Sequence, residues 1–555
     1  MFSIFVQIMK DNKEIVQKDL SLKTSLWLTA LLLLVTFFVY SPARYNTLTN
    51  WDDRNYIKEN TAVTNPGKDI IKQYFAIPGG FAMGNYHPLT MLSYAWEYKS
   101  SQLNPKPYHI HNILLHLANV ALVFLFVLLL TQKRLAALIA ACFFALQPMH
   151  VESVAWVAER KDLLFVFFSL LSMICYIQYV KKNKAYFYLL AIALFVMALL
   201  GKAMAVSVAL LLFLIDYYLK RNIPIKKIIL EKIPFLIIAF VFGLIAIKAQ
   251  HSIQAIETKD YSFYNRILFA SYACFTYLVK AVVPYNLNCY YDYPPEGTYT
   301  YYIAYTLVLL ALIFFIYKKF KDNRLIVFSA LFFLVSISQV LQLLPVGGAI
   351  VAERYTYLPY VGLFLAPSVI LADLYFSRKK NSQLIVYAVL AVSLFAYSYQ
   401  TYKRCFVWKD TLTIWNDALS KKPDIVKGLN GRGDAYNEIK EYRLAIVDFD
   451  QAIRLNDTYT DAYYNRGIAE YFVGTQYQEA GNTQEAQTFY LKALEDNSKA
   501  IKYNPGLDRA YFNRAGNYFI LGIYDKALED ALKAKSLGMD VDPRFIEALQ
   551  AGLKK

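Results

Sequence analysis

Charge is scarce in this chain. Asp, Glu, Lys and Arg make up 18% of its 555 residues, against about a quarter in a soluble globular protein, while 57% are hydrophobic. So much apolar surface cannot be hidden in one soluble core, and most of the chain is expected in lipid. Cysteine is scarcer still: five residues, scattered, with Cys142 and Cys175 inside apolar runs. They form no CxxC pair, no zinc spacing and no disulfide framework. HExxH, GxSxG, the P-loop and the dinucleotide glycine fingerprint are also missing. Hydrolytic and nucleotide-driven chemistries therefore have no foothold.

Basic residues outnumber acidic ones by 58 to 42, a net charge of +16. Gathered on one soluble face, that surplus would point to nucleic acid. It sits instead in short loops between apolar runs: QKR (132–134), KKNK (181–184), KRNIPIKKIILEK (220–232), KKFKDNR (318–324) and SRKK (377–380). This is the positive-inside pattern of a polytopic membrane protein. A span needs about 20 mostly apolar residues. Candidates fall near 24–42, 110–131, 135–148, 163–180, 185–203, 204–219, 233–250, 263–284, 299–317, 325–345, 354–376 and 384–402. The first reads as an uncleaved span, because Asp11, Glu14 and Asp19 interrupt the lysines before it.

With the N-terminus in the cytoplasm, the first three basic loops fall inside. Counting back from the last two gives the opposite parity at residue 251, so one run does not cross. The run 263–284 carries Arg266 and Lys280 and is predicted to re-enter or to lie in the interface. The expected fold is all-α: a membrane bundle of about 11 spans plus that helix over residues 1–402, with 43–109 as its first outer loop.

After Lys403 the chain turns polar. NGRGDAY (430–436), NRGIAEY (465–471) and NRAGNYF (513–519) are variants of one phrase, and Ala418, Ala452, Ala500 and Ala534 recur at spacings of 34, 48 and 34. That is the tetratricopeptide (TPR) period, once lengthened by 14 residues around TQYQEAGNTQEAQ. Residues 403–555 are expected to fold as an extracytoplasmic TPR domain. It would hold a half-repeat at 408–424, repeats near 427–460, 461–507 and 508–540, and a capping helix at 541–555. Such stacks present a groove for peptide or protein.

Ionisable residues gather on the predicted outer rim. Beside the acidic pair Asp52 and Asp53 stand His87, Glu97, His109, His150, Glu152, Glu159, Arg160, Lys161, Asp162, Glu353, Arg354 and Tyr355. Charges at the bilayer boundary are costly when unpaired, so clustering on one side suggests a polar cavity. A loosely held divalent cation, Mg or Mn, at Asp52 and Asp53 is the metal reading these residues allow. Ordinary interfacial solvation is the plain alternative.

The acidic pair after the first span, YHPLTMLSYAWEY (86–98), HIHNILLHLANVALVF (109–124), QPMHVESVAWVAERKDLL (147–164), VAERYTYLPYVGLF (351–364) and the repeats follow one another in order. Taken together they resemble the transmembrane-and-TPR-containing O-mannosyltransferases of the GT-C class of polytopic glycosyltransferases. The resemblance covers almost the whole chain. It implies transfer of mannose or a similar hexose from a polyprenyl-phosphate carrier to a hydroxyl of a protein or envelope-glycan acceptor outside the cytoplasm. Asp52 or Asp53 would be the general base, and the anomeric centre would invert. Arg160, Lys161, Arg354 and His150 would face the lipid phosphate. His87, Glu97, His109, Glu152, Glu159, Asp162, Glu353 and Tyr355 would line the acceptor cavity.

Two other functions compete. One is a non-catalytic membrane scaffold whose TPRs recruit envelope proteins. The other is a transporter using Lys202, Asp216 and Lys248 near span ends, which lacks a matched pair of broken half-helices. The expected setting is a bacterial inner membrane, with the N-terminus cytoplasmic and the repeats periplasmic.

Overall fold

The computed structural model describes residues 19–77, 80–251, 261–294, 297–343, 348–377 and 380–554. Among these residues helices dominate, and the β-pairings are two isolated bridges, Ala82 with Asn85 and Tyr291 with Val351. Two compact units divide the chain, residues 1–410 and 411–555.

In the first unit, α1 (Leu22–Tyr40) opens at Ser21, whose hydroxyl accepts the Thr24 N–H. It gives way to a 3₁₀ turn, Ser41–Tyr45, at Pro42, which has no N–H to continue the ladder. Helix α2 (Pro88–Ser101) precedes α3 (Pro105–Thr131), which is capped by Asn104, has Pro105 at its first position and stops at Gln132 in the left-handed region. The longer helices that follow are α4 (Arg134–Leu146), α5 (Arg160–Lys182), α6 (Ala185–Gly201), α7 (Val208–Tyr218), α8 (Ile225–His251), α9 (Phe263–Val282), α10 (Ile303–Phe320), α11 (Arg324–Ile337), α12 (Pro359–Tyr375) and α13 (Ser382–Val407).

Six segments among the described residues are long and apolar enough to cross a bilayer: Leu22–Tyr45, Pro105–Thr131, Val157–Lys182, Ile225–His251, Tyr299–Phe320 and Ser382–Val407. Helix α4 with Pro148–Ala155 makes a seventh if its 54° bend is one broken span, and α6, α7, α11 and α12 are apolar but shorter. The helix expected to re-enter, α9, is not in either group. The core runs through α3, α4 and α5, whose middle residues are almost all buried. By contrast α10 buries no residue at all, and α8 buries three. Apolar faces of that size exposed to water would cost about 25 cal/mol per Å², so lipid is their solvent, and the protein is an integral membrane protein.

Several helix boundaries differ from the sequence expectation. Helix α8 starts at Ile225 because the basic run IKKIILEK has helix-forming residues throughout and is wound into it. The run at 354 begins instead with a 3₁₀ turn, Glu353–Thr356, and α12 starts at Pro359, a residue suited to a first turn. Helix α13 continues past Tyr402 to Val407.

The second unit is a row of helical hairpins: α14 (Thr411–Lys421), α15 (Val426–Glu438), α16 (Tyr442–Leu455), α17 (Thr460–Glu479), α18 (Thr483–Tyr503), α19 (Asp508–Ile520), α20 (Tyr524–Ser536) and α21 (Pro543–Gly552). Ala418, Ala452, Ala500 and Ala534 are fully buried where helices cross. A repeated ion pair ties each hairpin: Arg432 with Asp448, Arg466 with Asp496 and Arg514 with Asp530, each a two-pronged fork at 2.7–2.8 Å. The third arm of each arginine reaches a residue sixteen positions back: Asn416, Asp450 and Ser498. The 14-residue insertion forms no bulge. Helices α17 and α18 have 20 and 21 residues, where α15 and α16 have 13 and 14. Each helix gains seven residues, close to two turns, so both keep their packing faces in phase.

Candidate active site

The acidic pair sits where the segment after α1 folds back on its own unit. Asn46 donates to the Cys405 carbonyl at 3.1 Å and the Thr47 N–H to that of Lys409 at 2.8 Å. Trp51 stacks on Trp156 at 4.7 Å, and Trp156 on Trp408 at 5.3 Å. These anchors bring three distant parts of the chain together around residues 51–53.

Within the pair the two carboxylates differ. Asp53 is fully buried: its Oδ2 accepts from the Thr49 N–H (2.8 Å) and hydroxyl (3.0 Å), and its Oδ1 from the Ala158 N–H (2.7 Å). Burial raises its pKa to about 6, against the lowering pull of those three hydrogen bonds. The Ala158 bond fixes the acidic loop to the turn that delivers Glu159, Arg160 and Lys161. The Asp52 side chain is 28% exposed, and its Oδ2 lies 3.9 Å from Lys161 Nζ.

Around Glu159 three cations converge: Lys161 at 3.1 Å, Arg354 at 3.3 Å and Lys202 at 3.5 Å. Each has a second carboxylate. Lys161 has Asp52, Lys202 has Asp162 at 2.6 Å, and Arg354 has Glu152, which it grips through both Nη1 (2.5 Å) and its backbone N–H (2.9 Å). The three cations keep a thin exposed edge, 9–18% of each side chain. Tyr355 lies between Arg354 and Lys202, with its ring 4.9 Å from the guanidinium and 5.9 Å from the ammonium. The sequence by itself offers Lys202 only as a transporter residue. The signal for its present place was the break GKA between two apolar runs, which forms the turn between α6 and Ala203–Ser207.

Other predicted residues serve the scaffold. Arg160 is buried, held by Glu97 at 2.5 Å, Asn112 at 2.9 Å and the Tyr108 carbonyl at 3.1 Å, with the rings of Tyr94 and Tyr108 against its guanidinium. Glu97 also bonds His111, at 2.5 Å. His150 is enclosed by Phe144 and Tyr357, and its Nδ1 donates to the Phe144 carbonyl at 2.9 Å. Neither Arg160 nor His150 presents an edge to a lipid phosphate. Glu353 is buried and joined to Arg404 and Tyr291 at 2.9 and 2.8 Å. His109 is buried near the backbone of Thr47 and Ala155. His87 stands just before α2, without a capping hydrogen bond, beside the Tyr56 ring; burial, and then the charges of Lys161 and Lys202, lower its pKa to about 3. It is a neutral ring at any ordinary pH.

A divalent cation does not fit the acidic pair. Asp53 spends both oxygens on three protein donors, and among the described residues no group of three or more His, Cys, Asp or Glu could hold a metal ion.

Residues 26–253 match the family described as dolichyl-phosphate-mannose-protein mannosyltransferase. Over 515 residues the chain is 22% identical to the human (Homo sapiens) protein O-mannosyl-transferase TMTC3, covering 84% of this chain and 54% of that protein. Protein O-mannosyl-transferase F38B6.6 of Caenorhabditis elegans is 25% identical over 429 residues, 74% of this chain and 60% of its own length. Protein O-mannosyl-transferase Tmtc1 of Drosophila melanogaster is 32% identical over 171 residues, 30% of this chain and 20% of its own. The chain thus spans about half the length of the curated relatives it matches. A crystal structure of MamA aligns with 28% of this chain and 77% of its own, at 23% identity and a TM-score of 0.19. The chain is thus similar to TMTC protein O-mannosyl-transferases, and its residues 26–253 match the mannosyltransferase family.

Proposed function

We propose that this protein moves mannose or a similar hexose from a polyprenyl-phosphate carrier to a hydroxyl of a protein acceptor, outside the cytoplasm, with Asp52 as general base. The observation that carries the reading is a part-exposed carboxylate at the edge of a three-cation cluster, Asp52 being 3.9 Å from Lys161. The acceptor oxygen attacks the anomeric carbon and its proton passes to an Asp52 oxygen. The bond from that carbon to the phosphate oxygen breaks on the opposite face, its electron pair leaves with the lipid phosphate, and the centre inverts. Negative charge grows on the leaving phosphate, and Lys161, Lys202 and Arg354 are positioned to meet it. Glu159 holds those cations close together despite their mutual repulsion. Asp53 positions the loop and stays out of the chemistry.

The repeat unit would hold the acceptor chain, on the outer side of a bacterial inner membrane whose cytoplasmic side carries the N-terminus. No step is assigned to a divalent cation. The test is transfer from a lipid-phosphate mannose to an acceptor peptide by purified protein. Asp52→Asn should lower turnover by about 10²–10⁴ while the protein still inserts and elutes as the wild type does. Unchanged turnover in that variant would remove Asp52 as the base, and no transfer by the wild type would leave the membrane-anchored scaffold.

A further inference from the structure

Between α17, α18 and α19 of the repeat unit lies a cavity of about 250 Å³. Tyr471, Phe472 and Phe512 supply apolar walls, and Asn497 and Asn517 lie against it. Both amides are 1% exposed, and the Oδ1 of each has no hydrogen-bond partner. A buried acceptor left unmet is costly, so two at one cavity call for a donor from outside the fold.

The third feature is Gly516. It lies in the interior of α19, where glycine is a poor helix former, and it lines the same cavity. Packing does not require it: a Cβ built there meets no atom within 4 Å. Gly467 differs, since a Cβ there would come within 2.9 Å of Asn497 Nδ2. Gly516 therefore keeps open a space that the protein itself does not fill.

We propose that this cavity seats one apolar side chain of an extended polypeptide, whose flanking backbone N–H groups donate to Asn497 and Asn517. A free sugar suits the cavity less well. A hexose carries several hydroxyls that each need a partner, and Ile468, Phe472, Phe512 and the two glycines of the lining offer none. One aliphatic or aromatic side chain beside two N–H donors matches the lining. This deepens the acceptor-holding role given above to the repeats, and its test reads binding, which does not depend on Asp52.

The experiment uses the full chain in detergent and fluorescent ten-residue peptides bearing Ser and Thr, with Leu, Phe or Asp at the centre. Fluorescence anisotropy should show binding of the Leu and Phe peptides and none of the Asp peptide. Gly516→Leu should weaken binding by about tenfold or more, the scale on which filling an apolar pocket discriminates, and Gly516→Ala by less. Both variants should melt at or above the wild-type temperature, since each replaces a helix-interior glycine, and this separates cavity filling from misfolding. Equal affinity in Gly516→Leu, equal binding of the Asp peptide, no peptide binding by wild type, or displacement of bound peptide by methyl mannoside would each overturn the proposal. If Gly516→Leu loses the peptide while Asp52→Asn transfers sugar normally, the assignment of Asp52 as the base fails and this one stands.

Discussion

Asp52 and Asp53 share a peptide bond and little else. Asp53 is enclosed and already accepts three hydrogen bonds, so its work is to tie residues 49–53 to Ala158. Its pKa is raised from 3.8 to about 6, so between those values the folded protein binds more protons than the unfolded chain. The stability it contributes is therefore complete below pH 3.8 and lost as pH rises through about 6. Thermal unfolding at pH 4, 5, 6 and 7 should show the midpoint fall by about 1–2 °C over that window, what about 1–2 kcal/mol gives in a chain of this size. Asp53→Asn should be less stable throughout, because an amide cannot accept from all three donors, but it should lack this slope. Lys202→Met should raise the KM for the lipid donor about tenfold or more, as loss of a charge-assisted contact does, and Lys202→Arg should recover most of it. An unchanged donor KM in Lys202→Met would remove that residue from the phosphate site. The sequence already showed the acidic pair and the rim charges, because ionisable groups stand out against apolar runs. It could not show which were used up inside the fold. Arg160 and Arg354 look alike in a string, yet one is clamped between two tyrosines and the other keeps an exposed edge.

Helices were legible where composition and period act alone. The apolar runs appear close to where the sequence put them, and the alanines of the repeats are buried as their spacing required. Boundaries set by longer-range packing were less legible: α8 absorbs a basic run, and the 14-residue insertion divides equally between two helices. Seven residues turn a helix through almost two full turns, so α17 and α18 stay in phase with their neighbours. Removing seven residues from each, at the closed end of the hairpin, should give a folded protein whose helical signal falls only in proportion to length. Removing seven from α17 alone would leave α18 overhanging, expose Tyr490 and lower the unfolding midpoint by several °C, since truncating or stranding a buried aromatic costs about 3–5 kcal/mol. Equal stability of the two deletions would show that the helices are not matched in length.

At the scale of the whole molecule, the charged loops and the repeats must lie on opposite sides of the membrane if transfer occurs where the acidic pair is. Single cysteines placed on a cysteine-free background test this. A membrane-impermeant reagent added to intact cells or right-side-out vesicles should modify the exposed positions Tyr45, Lys68 and Lys72 and positions in the repeat unit, and should spare 181–184 and 318–322 until the membrane is opened. Labelling of the repeats only after permeabilisation would place them in the cytoplasm and remove the proposed acceptor role.

The tryptophan stack gives this protein a built-in optical reporter. It has six tryptophans, and three of them, Trp51, Trp156 and Trp408, lie face to face at 4.7 and 5.3 Å. Indoles so close couple their transition dipoles and quench one another, so the stack should give a strong near-ultraviolet dichroic band and little emission. Trp51 immediately precedes Asp52. Any movement that lifts the acidic loop from its seat separates the outer indole first, and so brightens the protein before anything else about it changes.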